Sequence, residues 1–281
     1  MHFNRKKIKQ SKLSISPRGG TRKKIKTASS SPSESITPVK RSKRKSRKLK
    51  IHPTATSKAM DVKNFGNRKD FKPISEWGNI LEGHTSFILG NAPSISKQNL
   101  KILKPYFTLG VNRIFYVFTP TILMWQDIQM WNSEKTRLVS NKSLRICNGV
   151  SDPKKVFLNF KVKTGNFKFG RNPSLLHGTG NTTSLAIQLS VNLGCSSIVL
   201  LGTDCKYQPG KTDFYGNNKD HKSYTLKMCD TAMRWAKDNC PIPIYNCSSN
   251  KLWERENLSD VIDRIKPEKY NLKSYIRMFK K

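Results

Sequence analysis

Short apolar runs alternate with longer helix-like segments along the chain from about residue 85 onward. The short runs predict strands, and the longer segments predict helices. Strands that alternate with helices are typical of an α/β fold in which helices cover both faces of a mostly parallel sheet. The predicted strands lie at residues 86–89, 107–111, 121–125, 143–147, 155–160, 197–201 and 242–246, and the predicted helices at residues 96–104, 182–193, 222–238 and 257–265.

Two of these helices have recognisable ends. Pro105 follows the helix predicted at 96–104, and Gly194 follows the helix predicted at 182–193 in the position of a C-terminal cap. Apolar residues surround most of the helix at 182–193, so we expect that helix to be deeply buried.

The first predicted strand ends on the sequence Gly90-Asn-Ala-Pro-Ser94. In an open α/β sheet, ligands bind at the carboxyl ends of the strands, where loop amides and helix N-termini converge. Gly90 would let backbone approach a ligand closely, and Asn91 offers both a donor and an acceptor. The alternative is an ordinary turn between a strand and a helix, because small residues are common at such junctions.

A second candidate site precedes the helix at 182–193. Asn181, Thr182 and Thr183 place hydroxyls and free amides at a helix N-terminus, which is a ready site for an anion. The two glycines before them belong neither to a Walker A loop nor to a clean Gly-x-Gly-x-x-Gly motif. The alternative is simple capping of the helix by Asn181 or Thr182.

Polar residues also end three other predicted strands. Asn112 and Arg113 follow one strand, and Asp127 and Asp204 follow two more. With Asn91, they should meet at one edge of the sheet, because the carboxyl ends of parallel strands lie together. Asp204 would hold a ribose, a metal or the acceptor, or would cap its loop. Asp127 and Asp204 are the candidate ligands of a divalent metal.

A loop rich in turn formers, aromatic rings and titratable groups spans Asp213 to His221 and contains Tyr215. Functional residues concentrate in such loops when a rigid scaffold holds them. His221 has the intrinsic pKa of a general base near neutrality. The alternative is that His221 takes no part in chemistry.

Charge divides the chain at about residue 70. Residues 1–70 hold 22 of the 53 Lys and Arg residues but only 3 of the 18 Asp and Glu residues, and they contain few apolar side chains. We therefore predict a disordered basic tail at 1–70 and a folded domain at 71–281. The densest basic cluster, Lys40–Lys50, suits nucleic acid or another polyanion. A nuclear-targeting signal and a solubilising tail are the alternatives.

Six cysteines are present without a Cys-x-x-Cys pair or a zinc-like spacing to histidine. The basic N-terminus lacks the apolar segment of a secretory signal, and no apolar stretch is long enough to span a membrane. These features predict reduced thiols and a cytoplasmic protein, in the host cytoplasm if it is viral, with the nucleus open in a eukaryotic host.

Taken together, the motifs resemble those of the bacterial lipooligosaccharide sialyltransferases and of the 6-hydroxymethylpterin pyrophosphokinase-like proteins. The resemblance covers about residues 85–255, with the motifs in the same order along the chain. The matching segments are Gly90-Asn-Ala-Pro-Ser94, Val111-Asn-Arg-Ile-Phe115, Asn181-Thr-Thr183, Ala186-Ile-Gln-Leu-Ser-Val-Asn-Leu-Gly194, Gly202-Thr-Asp204, Tyr215-Gly216 with His221, and Ile244-Tyr-Asn-Cys247.

This resemblance implies a modified Rossmann-like fold, a variant of the GT-A glycosyltransferases, that uses a nucleotide sugar as co-substrate. Asn91 and Asn112 would contact the nucleotide, Asn181 and Thr182 would lie by the donor phosphate or ribose, and His221 would be the general base. The full set of expected donor-binding residues is Gly90, Asn91, Ser94, Asn112, Arg113, Asn181, Thr182, Thr183 and Tyr215.

The expected reaction is transfer of a sugar to a hydroxyl acceptor, with His221 and Asp204 as the candidate catalytic residues. The basic tail adds the hypothesis of an acceptor on or near nucleic acid, as in DNA-modifying enzymes of viral type. Two alternatives stay open: ATP- and Mg²⁺-dependent pyrophosphoryl transfer, and a non-catalytic nucleic-acid-binding protein on a transferase scaffold.

Overall fold

The computed structural model of the chain describes residues 68–149, 157–165, 167–178, 181–206, 211–216 and 223–281. The predicted tail at 1–70 therefore lies almost wholly outside the described residues. Within these ranges, the strands are β1 Thr85–Leu89, β2 Thr108–Val111, β3 Ile122–Trp125, β4 Leu144–Asn148, β5 Leu158–Lys163, β6 Leu175–His177, β7 Ser197–Leu201 and β8 Ile244–Asn246. The α-helices are α1 Ile128–Ser140, α2 Thr182–Asn192, α3 Ser223–Asn239, α4 Leu258–Ile265 and α5 Leu272–Met278.

In the described part of the chain, the eight strands form one parallel sheet in the order β6-β5-β4-β3-β2-β1-β7-β8. The sheet grows from β1 to β6 in one direction, and then β7 and β8 are added on the other side of β1. The strand order thus reverses between β1 and β7. Such a reversal opens a crevice outside the carboxyl ends of the two strands, which is where ligands bind in open α/β sheets.

The two faces of the sheet carry separate apolar clusters. Ile88 of β1 points to the face that α2 and α3 cover, while Phe87 and Leu89 point to the face that α1 and α4 cover. This alternation follows from the two-residue period of a strand, and burial on both faces explains why the strands are apolar throughout. The predicted fold class, a parallel α/β sheet with helices on both faces, is confirmed.

Helix α2 is as buried as its sequence predicts. All of its residues except Val191 are buried, and the hydroxyl of Ser190 lies 2.8 Å from that of Ser86 in β1. Gly194 follows the C-cap with a φ of +84°, a left-handed conformation that glycine adopts without strain, so the predicted helix end is confirmed.

The helix predicted at 96–104 is wrong. Two 3₁₀ turns, Pro93–Lys97 and Leu100–Leu103, stand in its place. Gln98 has an extended backbone with a ψ of 141°, which breaks any continuous helix at that point. No α-helix therefore lies between β1 and β2.

Other differences concern short or polar elements. Helix α1, strand β6 and helix α5 are not predicted from the sequence, and β5 begins at Leu158 rather than at residue 155. Residues 150–156 lie outside the described part of the chain. Among the described residues, no helix is long and apolar enough to cross a membrane.

Candidate functional site

A cavity of about 480 Å³ lies at the carboxyl edge of the sheet, over the point where the strand order reverses. Residues that follow β1, β2, β3 and β7 line it together with the N-terminus of α2 and the loop at 211–216. We call it the edge cavity. The site residues predicted from the sequence that line it are Asn91, Asn112, Arg113, Asp127, Asn181, Thr182, Thr183, Asp204 and Tyr215.

Two predicted site residues do not line the edge cavity, and a third lies outside the described part of the chain. Gly90 and Ser94 are not among the residues that line the edge cavity. His221, the expected general base, lies outside the described residues. Its role therefore stays a prediction.

Two asparagines in the lining of the edge cavity carry unsatisfied acceptors. The side-chain oxygens of Asn91 and Asn112 are both buried and accept no hydrogen bond within the described part of the chain. Asn112 also has a φ of +49°, a left-handed conformation that asparagine adopts more readily than most residues. Because an unpaired buried acceptor is costly, these two oxygens indicate a ligand that donates hydrogen bonds.

The N-terminus of α2 forms another part of the wall. Asn181 caps the helix, since its side-chain oxygen accepts a 2.8 Å hydrogen bond from the amide of Thr183. Gln126, after β3, donates a 2.9 Å hydrogen bond to the hydroxyl of Thr182. The capping expected for Asn181 is therefore present, and the positive end of the helix dipole lies beside the cavity.

Arg113 is a fixed cation in the wall of the edge cavity. Its Nε donates to Glu134 over 3.0 Å and its Nη2 donates to Ser133 over 2.9 Å. Burial lowers the pKa of Arg113, but the hydrogen bonds to Glu134 and Tyr215 raise it more, so its net pKa lies above the usual value. The guanidinium is therefore charged and held in one orientation.

The ring of Tyr215 packs against this cation. The Arg113 guanidinium carbon lies 5.6 Å from the ring centroid of Tyr215, and the ring of Tyr116 meets the same tyrosine edge-on at 5.9 Å. Burial, together with the charge of Asp213, raises the pKa of Tyr215 to about 12. At neutral pH Tyr215 is therefore a neutral phenol, and its hydroxyl is hydrogen-bonded to the side chains of Asp213 and Arg113.

Asp204 is buried, and its carboxylate is already occupied by protein donors. It accepts hydrogen bonds from the amide and the hydroxyl of Ser94 and, over 3.0 Å, from the amide of Ser249. The carboxylate therefore joins the loops that follow β1, β7 and β8. This arrangement matches the alternative in which Asp204 stabilises its loop.

Gly90 lies at the same junction. Its amide donates a 2.8 Å hydrogen bond to Leu201, and a Cβ atom at residue 90 would lie 2.2 Å from the carbonyl oxygen of Gly202. A close approach at Gly90 does exist, as the sequence suggests, but it is to the backbone after β7.

Metal-binding groups are sparse in the part of the chain that the structure describes. No group of three His, Cys, Asp or Glu side chains lies close enough to hold a metal ion there. Asp127 and Asp204 both line the edge cavity, and the oxygens of Asp204 already accept the three hydrogen bonds given above.

Several residues at the cavity are missed by the sequence analysis. Glu134 holds Arg113 but belongs to α1, which the sequence analysis does not predict. Cys205 and Cys229 also line the cavity, and burial raises the pKa of both thiols, that of Cys229 to about 11. The signal for Glu134 was its spacing of four residues from Met130 and Leu138, which places an acidic residue on the apolar side of a helix.

Comparison with known proteins gives only distant structural likeness. No known family and no curated protein matches the chain. The fold is similar to the sialyltransferase CstII from Campylobacter jejuni solved with cytidine-5′-monophosphate, with a TM-score of 0.36 and 14% identity, over 60% of this chain and 82% of that chain.

Two further solved structures have similar values. CstII with a trisaccharide acceptor and CMP has a TM-score of 0.34 and 11% identity, over 58% of this chain and 80% of that chain. The apo α-2,3-sialyltransferase from Campylobacter jejuni has a TM-score of 0.33 and 15% identity, over 58% of this chain and 75% of that chain. At such values the matches do not identify a reaction or a substrate.

Proposed function

We propose that the chain is a glycosyltransferase that binds a nucleotide-sugar donor in the edge cavity and transfers the sugar to an acceptor hydroxyl. One observation carries this proposal: the lining of the cavity combines two asparagines with unsatisfied buried amide oxygens, Asn91 and Asn112, with a fixed cation, Arg113. A nucleotide presents the complementary groups, because its base and ribose donate hydrogen bonds and its phosphate is anionic.

The proposed reaction forms a bond between the acceptor oxygen and the anomeric carbon of the sugar. The bond from that carbon to the phosphate oxygen breaks, and the nucleotide leaves with the electron pair. Arg113 and the N-terminus of α2 would stabilise the negative charge that develops on the phosphate.

A base must also remove the proton of the acceptor hydroxyl. We assign this step to His221 because the intrinsic pKa of histidine suits proton removal near neutral pH. Asp204 has a different role in this proposal: its carboxylate holds the loops that carry Asn91 and the end of β7.

The test is a thermal unfolding experiment on the full chain with CMP, UDP, their sugar conjugates, and ATP with and without Mg²⁺. A ligand at about 100 times its dissociation constant adds about 2.7 kcal/mol of stability, which is a readily measured increase in Tm. We expect one nucleotide and its sugar conjugate to raise the Tm. Asn112→Ala should remove most of that increase, while Asn132→Ala, on the exposed side of α1, should leave it unchanged.

The same experiment separates the alternatives. An increase in Tm with ATP and Mg²⁺ alone would favour pyrophosphoryl transfer, and no increase with any nucleotide would favour a non-catalytic binding protein. Either result would contradict the proposed donor site.

A further inference from the structure

A second, larger cavity lies on the sheet face that carries the 3₁₀ turns. It has a volume of about 1010 Å³, at the upper end of the range of ligand pockets, and it is lined by the turns after β1 and after β2. Both turns are 3₁₀ segments, and no α-helix lies between β1 and β3. We call it the aromatic groove and define it by Lys101, Lys104, Phe115, Tyr116, Phe118 and Phe214.

The rings of the groove are unusually accessible for large apolar side chains. Tyr116 is 37% exposed, the neighbouring Val117 is 53% exposed, and Phe115, Phe118 and Phe214 are only partly buried. Large apolar side chains exposed together mark a binding surface more often than a chance feature of the fold. Accessible aromatic faces suit a ligand that has flat rings of its own.

Charge restricts the class of ligand further. Lys101 and Lys104 are exposed at the groove, and none of the described residues that line it is acidic. A ligand that offers both flat rings and negative charge satisfies both sets of groups. Single-stranded nucleic acid does so along its length, because its bases stack on aromatic rings while its phosphates pair with lysines.

The groove also adjoins the edge cavity. Phe214 and Tyr116 line the groove, Tyr215 lines the cavity, and the Tyr215 ring lies 5.1 Å from Phe214 and 5.9 Å from Tyr116, centroid to centroid. Rings of the two linings are therefore in direct contact. A strand bound in the groove would lie next to the proposed donor site.

We propose that the aromatic groove is a binding site for a single-stranded segment of nucleic acid, with bases stacked on Phe118 and its neighbours and phosphates paired with Lys101 and Lys104. The proposal goes beyond sugar transfer, since binding in the groove requires no turnover. If the proposed transferase activity is correct, the bound strand is also the candidate acceptor.

The test compares two oligonucleotides of equal length and charge, one with bases and one abasic, for binding to the full chain by fluorescence anisotropy. The basic residues at 1–70 contact phosphates equally in both, so only stacking distinguishes the two ligands. We expect the base-bearing strand to bind more tightly, and the difference to persist as salt is raised. Phe118→Ala should reduce the affinity for that strand about tenfold and leave the abasic affinity unchanged.

Control variants separate stacking from damage to the fold. Phe118→Trp should retain the preference for bases, and Val117→Ala, in the same segment but without a ring, should not alter it. Removing both Lys101 and Lys104 should lower the slope of log affinity against log salt by about 1.4, whereas Lys135→Ala on α1 should not.

Equal affinity for the two oligonucleotides, or a preference for bases that survives Phe118→Ala in a folded variant, would overturn the proposal. The transferase proposal fails by a different result, the absence of nucleotide-sugar binding. A preference for bases without donor binding would therefore retain the groove and remove only the transferase activity.

Discussion

Single residues at the carboxyl edge divide into those that face the edge cavity and those that hold its walls. Asn91, Asn112 and Arg113 belong to the first group, and Gly90 and Asp204 chiefly hold the walls. The sequence predicts that all five residues meet at one edge of the sheet, because each follows the end of a strand. It does not predict which of them face the cavity and which hold its walls, because this depends on the hydrogen-bond donors and backbone atoms that the folded loops bring close to each residue.

Asp204 should therefore contribute more to stability than to chemistry. Asp204→Ala leaves the buried amide of Ser94 and the partly buried amide of Ser249 without an acceptor, and we expect a loss of about 3 kcal/mol in the free energy of unfolding. Asp204→Asn should lower the free energy of unfolding less, because its remaining side-chain oxygen can still accept a hydrogen bond. Urea unfolding measures both values. A stable Asp204→Ala variant without activity would instead identify Asp204 as a catalytic residue.

Gly90 offers a matched pair of substitutions. In Gly90→Ala the new methyl group would lie 2.2 Å from the backbone oxygen of Gly202, which cannot move as a side chain can. We expect a loss of about 1–3 kcal/mol from this overpacking. At Gly78 a methyl group meets no atom within 4 Å, so Gly78→Ala is the control. Equal melting temperatures for the two variants would show that the β1–β7 junction is looser than described.

At the scale of elements, the apolar strands were predictable and the irregular segments were not. Runs such as Phe87–Leu89 are apolar because both faces of the sheet are covered, and that pattern is visible in the sequence. Strand β6 is only three residues long, which is too short to show the alternation of apolar and polar residues that predicts a strand. The 3₁₀ turns at 93–103 depend on Pro93 and on the extended Gln98, a backbone feature that apolar spacing does not show.

Helix α1 shows how an element escapes prediction and still shapes the site. Its buried positions include Glu134 among Met130, Trp131 and Leu138, so a carboxylate interrupts the apolar face. That carboxylate is buried because Arg113 and Tyr116 both donate to it. The pairing joins α1 to the turn after β2, a contact between segments about 20 residues apart in the chain.

Removing this carboxylate should weaken donor binding through Arg113. In Glu134→Gln the guanidinium loses its charged partner and its fixed orientation, and we expect the affinity for the nucleotide to fall about fivefold to tenfold. Arg137→Gln removes the 3.3 Å contact to Glu134 and the cation–π contact with Tyr116 but leaves the pair of Arg113 and Glu134 intact, so it is the control. Isothermal titration calorimetry on the folded variants measures both affinities. Unchanged binding in Glu134→Gln would mean that Arg113 does not contact the ligand.

At the scale of the whole molecule, charge is the property that the sequence predicts most directly. The chain has a formal net charge of +35, and Lys40–Lys50 is its densest basic cluster. The prediction of a polyanion-binding segment needs no fold, because counterion release depends mainly on the number of cations that reach phosphates. The aromatic groove, in contrast, arises only once distant segments have folded together, so the sequence does not show it.

Replacing the basic residues of Lys40–Lys50 by glutamine should reduce the salt dependence of nucleic-acid binding. Each cation that contacts a phosphate contributes about 0.9 to the slope of log affinity against log salt on duplex DNA. We expect a much shallower slope and weaker binding at low salt, with the melting temperature of the folded domain unchanged. A slope equal to that of the unaltered chain would exclude this cluster as the source of affinity.

Sugar transfer releases free nucleotide from the nucleotide sugar, so chromatography of that release by the full chain is the decisive measurement. We expect release from one class of donor, strongly reduced in the folded variants Arg113→Met and Asn112→Ala and unchanged in Asn132→Ala. No release from any donor, with or without a nucleic-acid acceptor and with the protein folded, would contradict the proposed function.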